Sequence, residues 1–166
     1  LTYEISRVDE ERLLTLHDLK SKKSESTATY EQGSRPIFSD DSSWLAVTIG
    51  KSPAELEKEK KAADKAPKSA GQTMKLRRLK DGETTELEHV GAFSFSADSR
   101  FTAMEVLPKP GGKEPGKILI IRELASGHDT AFGNVVRHAW SDRGSLLAMV
   151  IDSPSISNTL QVFNPA

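Results

Sequence analysis

One phrase occurs three times along this chain and limits its fold more than any other feature. Phe38-Ser39-Asp40-Asp41-Ser42-Ser43-Trp44-Leu45-Ala46-Val47 returns as Phe95-Ser96-Ala97-Asp98-Ser99-Arg100-Phe101-Thr102-Ala103-Met104, and again as Trp140-Ser141-Asp142-Arg143-Gly144-Ser145-Leu146-Leu147-Ala148-Met149. Each copy has an aromatic, then Ser, polar turn formers, a large apolar residue, one more position, and Ala. A repeat of this size sets the architecture before any local propensity does.

A second phrase repeats in step. Leu14-Thr15-Leu16-His17-Asp18-Leu19 matches Met74-Lys75-Leu76-Arg77-Arg78-Leu79 and Leu119-Ile120-Ile121-Arg122-Glu123-Leu124, with a partial copy at Leu160-Gln161-Val162-Phe163-Asn164-Pro165. Apolar and polar positions partly alternate, the period-two signal of strands. Three copies run into turn residues: Lys20-Ser21-Lys22, Asp81-Gly82 and Ser126-Gly127. Glycine takes the positive φ of a tight hairpin without steric cost; the Lys20 turn lacks it.

One unit is therefore four strands. The first ends at the aromatic-Ser pair, the second carries apolar-x-Ala, the third carries Leu-x-Leu-x-x-Leu, and the fourth follows the turn, as in Thr84–Val90. The aromatics lie 57 and 45 residues apart. The shorter spacing suits a four-stranded propeller blade, and the longer one a blade plus an insertion. The expectation is an all-β chain: a β-propeller segment of four-stranded antiparallel blades at about 1–33, 34–90, 91–135 and 136–166. Leu1–Ile5 aligns with a second strand, and the last unit stops after its third, so the segment is expected to be incomplete at both ends and to belong to a longer protein. A small self-contained β-sandwich is the competing architecture.

The insertion covers about 51–73. Ser52-Pro53-Ala54-Glu55 is a helix start, with Ser as N-cap, Pro at the first helical position and Glu three residues after the cap. A Lys/Glu-rich stretch follows, and its apolar stripe is too thin to anchor a helix to a core. The expectation is a charged, mobile excursion between two strands, with a docking arm for a partner domain as the other reading.

Charge and composition exclude several function classes. The 166 residues carry a net charge of −1 and are 36% hydrophobic. That balance offers no global attraction to nucleic acid or to an anionic membrane. No apolar run approaches the roughly 18–20 residues of a membrane span. The absence of cysteine removes disulfides, thiolate catalysis and Cys-ligated metal.

No catalytic, cofactor-binding or metal-binding residue is assigned, and the substrate-binding residues are unknown. Gly111-Gly112-Lys113-Glu114-Pro115-Gly116-Lys117 fits seven positions of a phosphate-binding loop, but the eighth is Ile118, not Ser or Thr. The residues that follow read as a strand, whereas a phosphate loop opens a helix. His17, His89, His128 and His138 form no short metal-ligand pair. Asp40 and Asp41 belong to no calcium loop. No Gly-x-Ser-x-Gly elbow is present. Ser39, Ser96 and Ser141 recur, as do Asp41 and Asp98. Recurrence argues for a turn role, since one active site needs one nucleophile. Lys75, Arg77, Arg78 and Lys80 divide between the two faces of a strand, which splits the basic patch. Trp44 and Trp140 are expected to pack within or between blades.

Phe38-Ser39-Asp40-Asp41 closing on Leu45-Ala46 resembles the short β repeats of bacterial propellers. These include the periplasmic Tol-system propeller and the N-terminal domains of the prolyl oligopeptidase family. Pro36–Ile49 runs almost directly into Ser52–Lys61. A blade strand followed by a Lys/Glu-rich insertion resembles the propellers of secreted bacterial prolyl oligopeptidase-like serine peptidases. The resemblance implies a non-catalytic domain that stands over an α/β-hydrolase domain of the same parent protein, filters peptide substrates by size and docks on that domain. The catalytic serine, aspartate and histidine then lie outside this sequence, in a periplasmic or secreted protein. A stand-alone periplasmic or extracellular propeller that binds protein partners is the alternative. A propeller enzyme working at its central channel would need an acid/base or metal cluster that the chain does not offer.

Overall fold

The computed structural model describes residues 2–6, 12–19, 28–62, 71–108, 117–153 and 156–165. In chain order the elements are β1 (Thr2–Ser6), β2 (Arg12–Leu16), β3 (Ala28–Glu31), β4 (Gly33–Phe38), β5 (Trp44–Ile49), α1 (Pro53–Ala62), β6 (Gln72–Arg78), β7 (Thr84–Phe95), β8 (Phe101–Val106), β9 (Ile118–Glu123), β10 (Asp129–Gly133), β11 (Val135–Trp140), β12 (Leu147–Ser153) and β13 (Ile156–Phe163). Each strand pairs antiparallel with its sequence neighbour within its sheet. The sheets run β1-β2-β3, β4 through β10, and β11-β12-β13.

The long central sheet is two four-stranded repeats joined through one strand. Residues 84–90 of β7 pair with β6, and residues 93–95 pair with β8. The sequence divides this stretch between two strands at residue 90. No turn separates them; the register slips between Val90 and Phe93, and His89 takes a φ of 61°. The backbone therefore bends from one repeat to the next without leaving strand geometry.

Alternation along the second strand of each repeat explains how the sheets stack. In β5, Leu45 and Val47 join Leu14, Leu16 and Tyr30 of the preceding repeat, while Ala46 joins Met104 and Leu124 of the following one. In β8, Met104 faces back and Phe101 and Ala103 face forward, toward Val135, Leu147 and Met149. Both faces are covered, so these strands read as mainly apolar runs, broken only by Thr48 in β5 and by Thr102 and Glu105 in β8. Each Leu or Met buried this way contributes about 1.5–3 kcal/mol.

The first strands share a feature hidden from the sequence. Gln32, His89 and Asn134 each lie six residues before a repeat aromatic, and each has positive φ, 55°, 61° and 58°. Each carbonyl accepts a hydrogen bond from the end of the second strand or the residue just after it: Gly50 N–H, Leu107 N–H and Asp152 N–H, at 2.9, 2.8 and 2.9 Å. The next residue, Gly33, Val90 or Val135, is buried. Gly33 cannot be larger, since a Cβ there would lie 2.8 Å from Tyr30 Cβ and 2.9 Å from Leu14 Cβ.

The expected hairpins at Gly82 and Gly127 are present with φ of 81° and 73°. The Lys20-Ser21-Lys22 turn lies outside the described residues. In the insertion, α1 begins with the anticipated capping box: Glu55 N–H donates to Ser52 Oγ at 3.3 Å, and Ser52 N–H donates to Glu55 Oε2 at 2.8 Å. Residues 54–58 are exposed, as their polarity requires. The return segment, from residue 63 to residue 70, lies outside the described residues.

Candidate functional site

The recurring serines build turns. Ser39 Oγ donates to Asp41 Oδ1 at 2.6 Å and accepts from Trp44 N–H at 3.0 Å, while Ser43 N–H donates to Asp41 Oδ1 at 2.9 Å. The second copy repeats this: Ser96 Oγ donates to Asp98 Oδ1 at 2.7 Å and accepts from Phe101 N–H at 3.0 Å, and Arg100 N–H donates to Asp98 at 3.2 Å. In the third copy Arg143 replaces the aspartate, and Ser141 Oγ donates to the Arg143 carbonyl at 2.6 Å. Each hydroxyl is thus committed to closing its own turn. The fifth position of the phrase is left-handed in every copy, with φ of 57° at Ser42, 57° at Ser99 and 72° at Gly144. That geometry accounts for glycine in the third copy.

The turns are also linked between repeats. Asp41 N–H donates to Ser99 Oγ at 3.0 Å, and Ser145 is near enough to Asp98 to help lower its pKa. The Ser39 hydroxyl is the main cause holding the Asp41 carboxyl below its ordinary value, opposed by slight burial. At Asp98 burial pushes upward, but the bonds from Ser96 and Arg100, with Ser145 nearby, prevail and the carboxyl is lowered.

Between these turn ends, the second and third repeats leave two adjoining hollows of about 260 Å³ each, sharing Trp44, Arg78, Leu124 and Ala125. Arg78 lies with its guanidinium 5.7 Å from the Trp44 ring centre. Its charge is taken up by Asp81, at 2.8 Å, and by Glu83. Ser126 Oγ, also at the rim, donates to Glu123 at 2.6 Å and accepts the backbone N–H of His128 at 3.2 Å. An aromatic ring, short aliphatics and compensated charges make a contact surface. The serines here are occupied with local structure, and nothing in the lining forms a nucleophile-base pair.

At the other end of β8, three charged or titratable groups meet between the third and fourth repeats. His138 Nδ1 on β11 lies 3.5 Å from Glu105 Oε1, and Lys117 Nζ lies 3.1 Å from Glu105 Oε2. His138 Nδ1 is buried without a hydrogen bond. Burial lowers the imidazole pKa, Glu105 opposes this, and Lys117 adds to it. Between the first and second repeats the Tyr30 hydroxyl and Arg77 Nε are likewise buried without a hydrogen bond of normal geometry. Burial raises the Tyr30 pKa, against the pull of the neighbouring Arg77.

The other residues singled out from the sequence stay apart. Among the described residues no three His, Asp or Glu side chains converge as a metal site. The glycine-rich stretch is described only at Lys117, which leads into β9, a strand, and leaves no helix N-terminus for a phosphate. The basic cluster divides between faces: Lys75 pairs with Glu86 at 2.7 Å, Arg77 lies beside Tyr30, and Arg78 lies against Trp44. Trp44 and Trp140 pack between repeats, and Trp140 Nε1 donates to Ser94 Oγ at 3.1 Å. No helix among the described residues is long and apolar enough to cross a membrane. The Glu105–His138 approach escaped the sequence reading because it joins residues of different repeats that share no motif.

No family model and no curated protein matches this sequence. Among solved structures, the chain is similar to the β-propeller domain of the Trilobed protease from Pyrococcus furiosus, described as having an open velcro topology. That likeness has a TM-score of 0.55 at 9% identity and covers 98% of this chain and 50% of that one. It establishes the fold: a β-propeller arrangement, here as an open run of stacked antiparallel blades. An acylaminoacyl peptidase in complex with Z-Gly-Gly-Phe-chloromethyl ketone gives a TM-score of 0.47 at 16% identity over 71% of this chain and 17% of that one. The Pyrococcus horikoshii acylaminoacyl peptidase gives 0.46 at 15% identity over 72% and 17%. The chain thus spans half the length or less of each of these three structures.

Proposed function

We propose that this chain is the non-catalytic propeller region of a prolyl oligopeptidase-like serine peptidase of the periplasm or exterior. Its blades would gate the approach of peptides and dock on an α/β-hydrolase domain of the same protein. The observation that carries this reading is the likeness of nearly the whole chain to the propeller domain of a protease. Two further features support it. The recurring serines are spent on turns, which leaves bond cleavage to other sequence. The Lys/Glu-rich helix α1 interrupts the second blade where the resemblance to secreted peptidases places an insertion.

A serine-reactive fluorophosphonate probe tests the proposal on the full-length gene product. The expected result is covalent labelling at a serine outside residues 1–166, together with peptide hydrolysis by the full product and none by the 166-residue chain. Labelling or hydrolysis by the 166-residue chain, or an inert full product, overturns it.

A further inference from the structure

Two arginines stand at matching places on strands that keep a free side. Arg35 on β4 and Arg137 on β11 each lie three residues before a repeat aromatic, and Ala92 on β7 takes that place between them. All three are exposed. In each of these first strands the ladder slips, between Ser34 and Ile37, Val90 and Phe93, and Val135 and Arg137. An irregularity of this kind re-aims side chains. Arg35 also takes a φ of 47°, which a side chain other than glycine adopts only at some cost. The three strands sit side by side. Asp41 N–H, in the turn after β4, reaches Ser99 Oγ in the turn after β7 at 3.0 Å, and Trp140 Nε1 on β11 reaches Ser94 Oγ on β7 at 3.1 Å. Among the described residues, β4, residues 93–95 of β7 and β11 each pair only with the second strand of their own repeat.

Nothing described neutralises the two guanidiniums. Arg35 donates to the Gln72 amide oxygen at 3.3 Å, and no described carboxylate pairs with Arg35 or Arg137. Arg78 and Arg122, by contrast, are each held by a carboxylate. Residues 33–38, 90–95 and 135–140 contain no Asp or Glu. Glu31 and Glu88 are exposed, but they precede the left-handed Gln32 and His89 and so end the preceding repeats. Asp41 and Asp98 are spent on turns. Beside the arginines, Ile37 is 41% and Val136 50% exposed.

We propose that these three first strands form a recognition surface for acidic peptides, with Arg35 and Arg137 pairing with the Asp, Glu or terminal carboxylates of the peptide. A guanidinium matches a carboxylate with two parallel N–H donors, and the exposed Ile37 and Val136 suit the carbon side chains of a polypeptide. Nucleic acid is a poorer occupant. Two cations hold few phosphates, and none of the exposed first-strand positions offers an aromatic ring for a base. A charge at a sheet edge also deters pairing with other chains, but any charge serves that end, and a left-handed arginine is not needed for it.

The inference rests on the peptide-gating reading, yet its test measures binding without cleavage, so an inert serine probe sinks that reading and leaves this one to be decided separately. Fluorescence anisotropy of the full-length gene product follows a labelled Glu-containing peptide, its Gln counterpart and a single-stranded DNA of equal charge. The Glu peptide is expected to bind about tenfold more tightly than the Gln peptide at low salt, with the preference fading at high salt. Arg35→Gln/Arg137→Gln is expected to abolish the preference, and so is Ala92→Glu, which sets a carboxylate between the two. Arg35→Lys/Arg137→Lys is expected to keep part of it, and Lys80→Gln, at an exposed turn, all of it. Thermal midpoints confirm that each variant is folded. Equal binding of the Glu and Gln peptides overturns the inference, as does a preference that survives in the folded Gln double variant or DNA binding as tight as that of the Glu peptide.

Discussion

Ser42, Ser99 and Gly144 show how one backbone requirement is met by different residues. Side chains other than glycine in the left-handed region cost about 1–2 kcal/mol, offset in part by the greater freedom glycine loses on folding. Ser42→Gly is therefore expected to stabilise the chain by up to about 1 kcal/mol, read as a higher denaturant midpoint. Ser99→Gly is expected to give less or to destabilise, because the Ser99 hydroxyl accepts the Asp41 N–H. Acid sensitivity is also decided at this scale. The His138 pKa is depressed by burial from an ordinary 6.5, so the unfolded chain binds that proton first. Stability is expected to decline as pH falls through about 6.5. His138→Phe, the residue type of the matching Phe93, is expected to flatten thermal midpoints between about pH 7 and 5. Asp41 and Asp98 have lowered pKa values, so a further loss is expected below about pH 4. The serine turns were legible because their residues repeat. The burial of His138 against Glu105 was not, since neither belongs to a repeated phrase.

The strands follow from period-two alternation and from glycines at hairpin corners. Two features of the elements resisted reading. The bend inside β7 replaces a turn by a left-handed His89, and nothing in His89-Val90-Gly91 resembles a hairpin. The left-handed residues before each first strand are Gln, His and Asn, so the geometry repeats while the letters do not. His89 and Asn134 belong to types enriched in that region, and Gln32 does not. The helix α1 was legible from its cap. Replacing residues 52–70 with a short Gly/Ser linker is expected to change stability by less than about 1 kcal/mol, since loop-closure entropy varies slowly with length. Ser52→Ala is expected to reduce helical circular dichroism while leaving the denaturant midpoint in place, because the residues of α1 next to the cap are exposed.

For the molecule as a whole, the stacking order was legible because apolar runs such as Trp44–Ile49 have to be covered on both sides. Which residues line a functional surface was not, because the Trp44 hollows form only where three separate turns converge. The shared strand β7 carries a mechanical implication. Tension applied across the second and third blades travels along an unbroken covalent backbone instead of slackening in a loop, so neither can be peeled away without loading the other. The junctions on either side are nearly as tight, a single left-handed residue each at Gln32 and Asn134, so load passes from blade to blade with little slack along the described run.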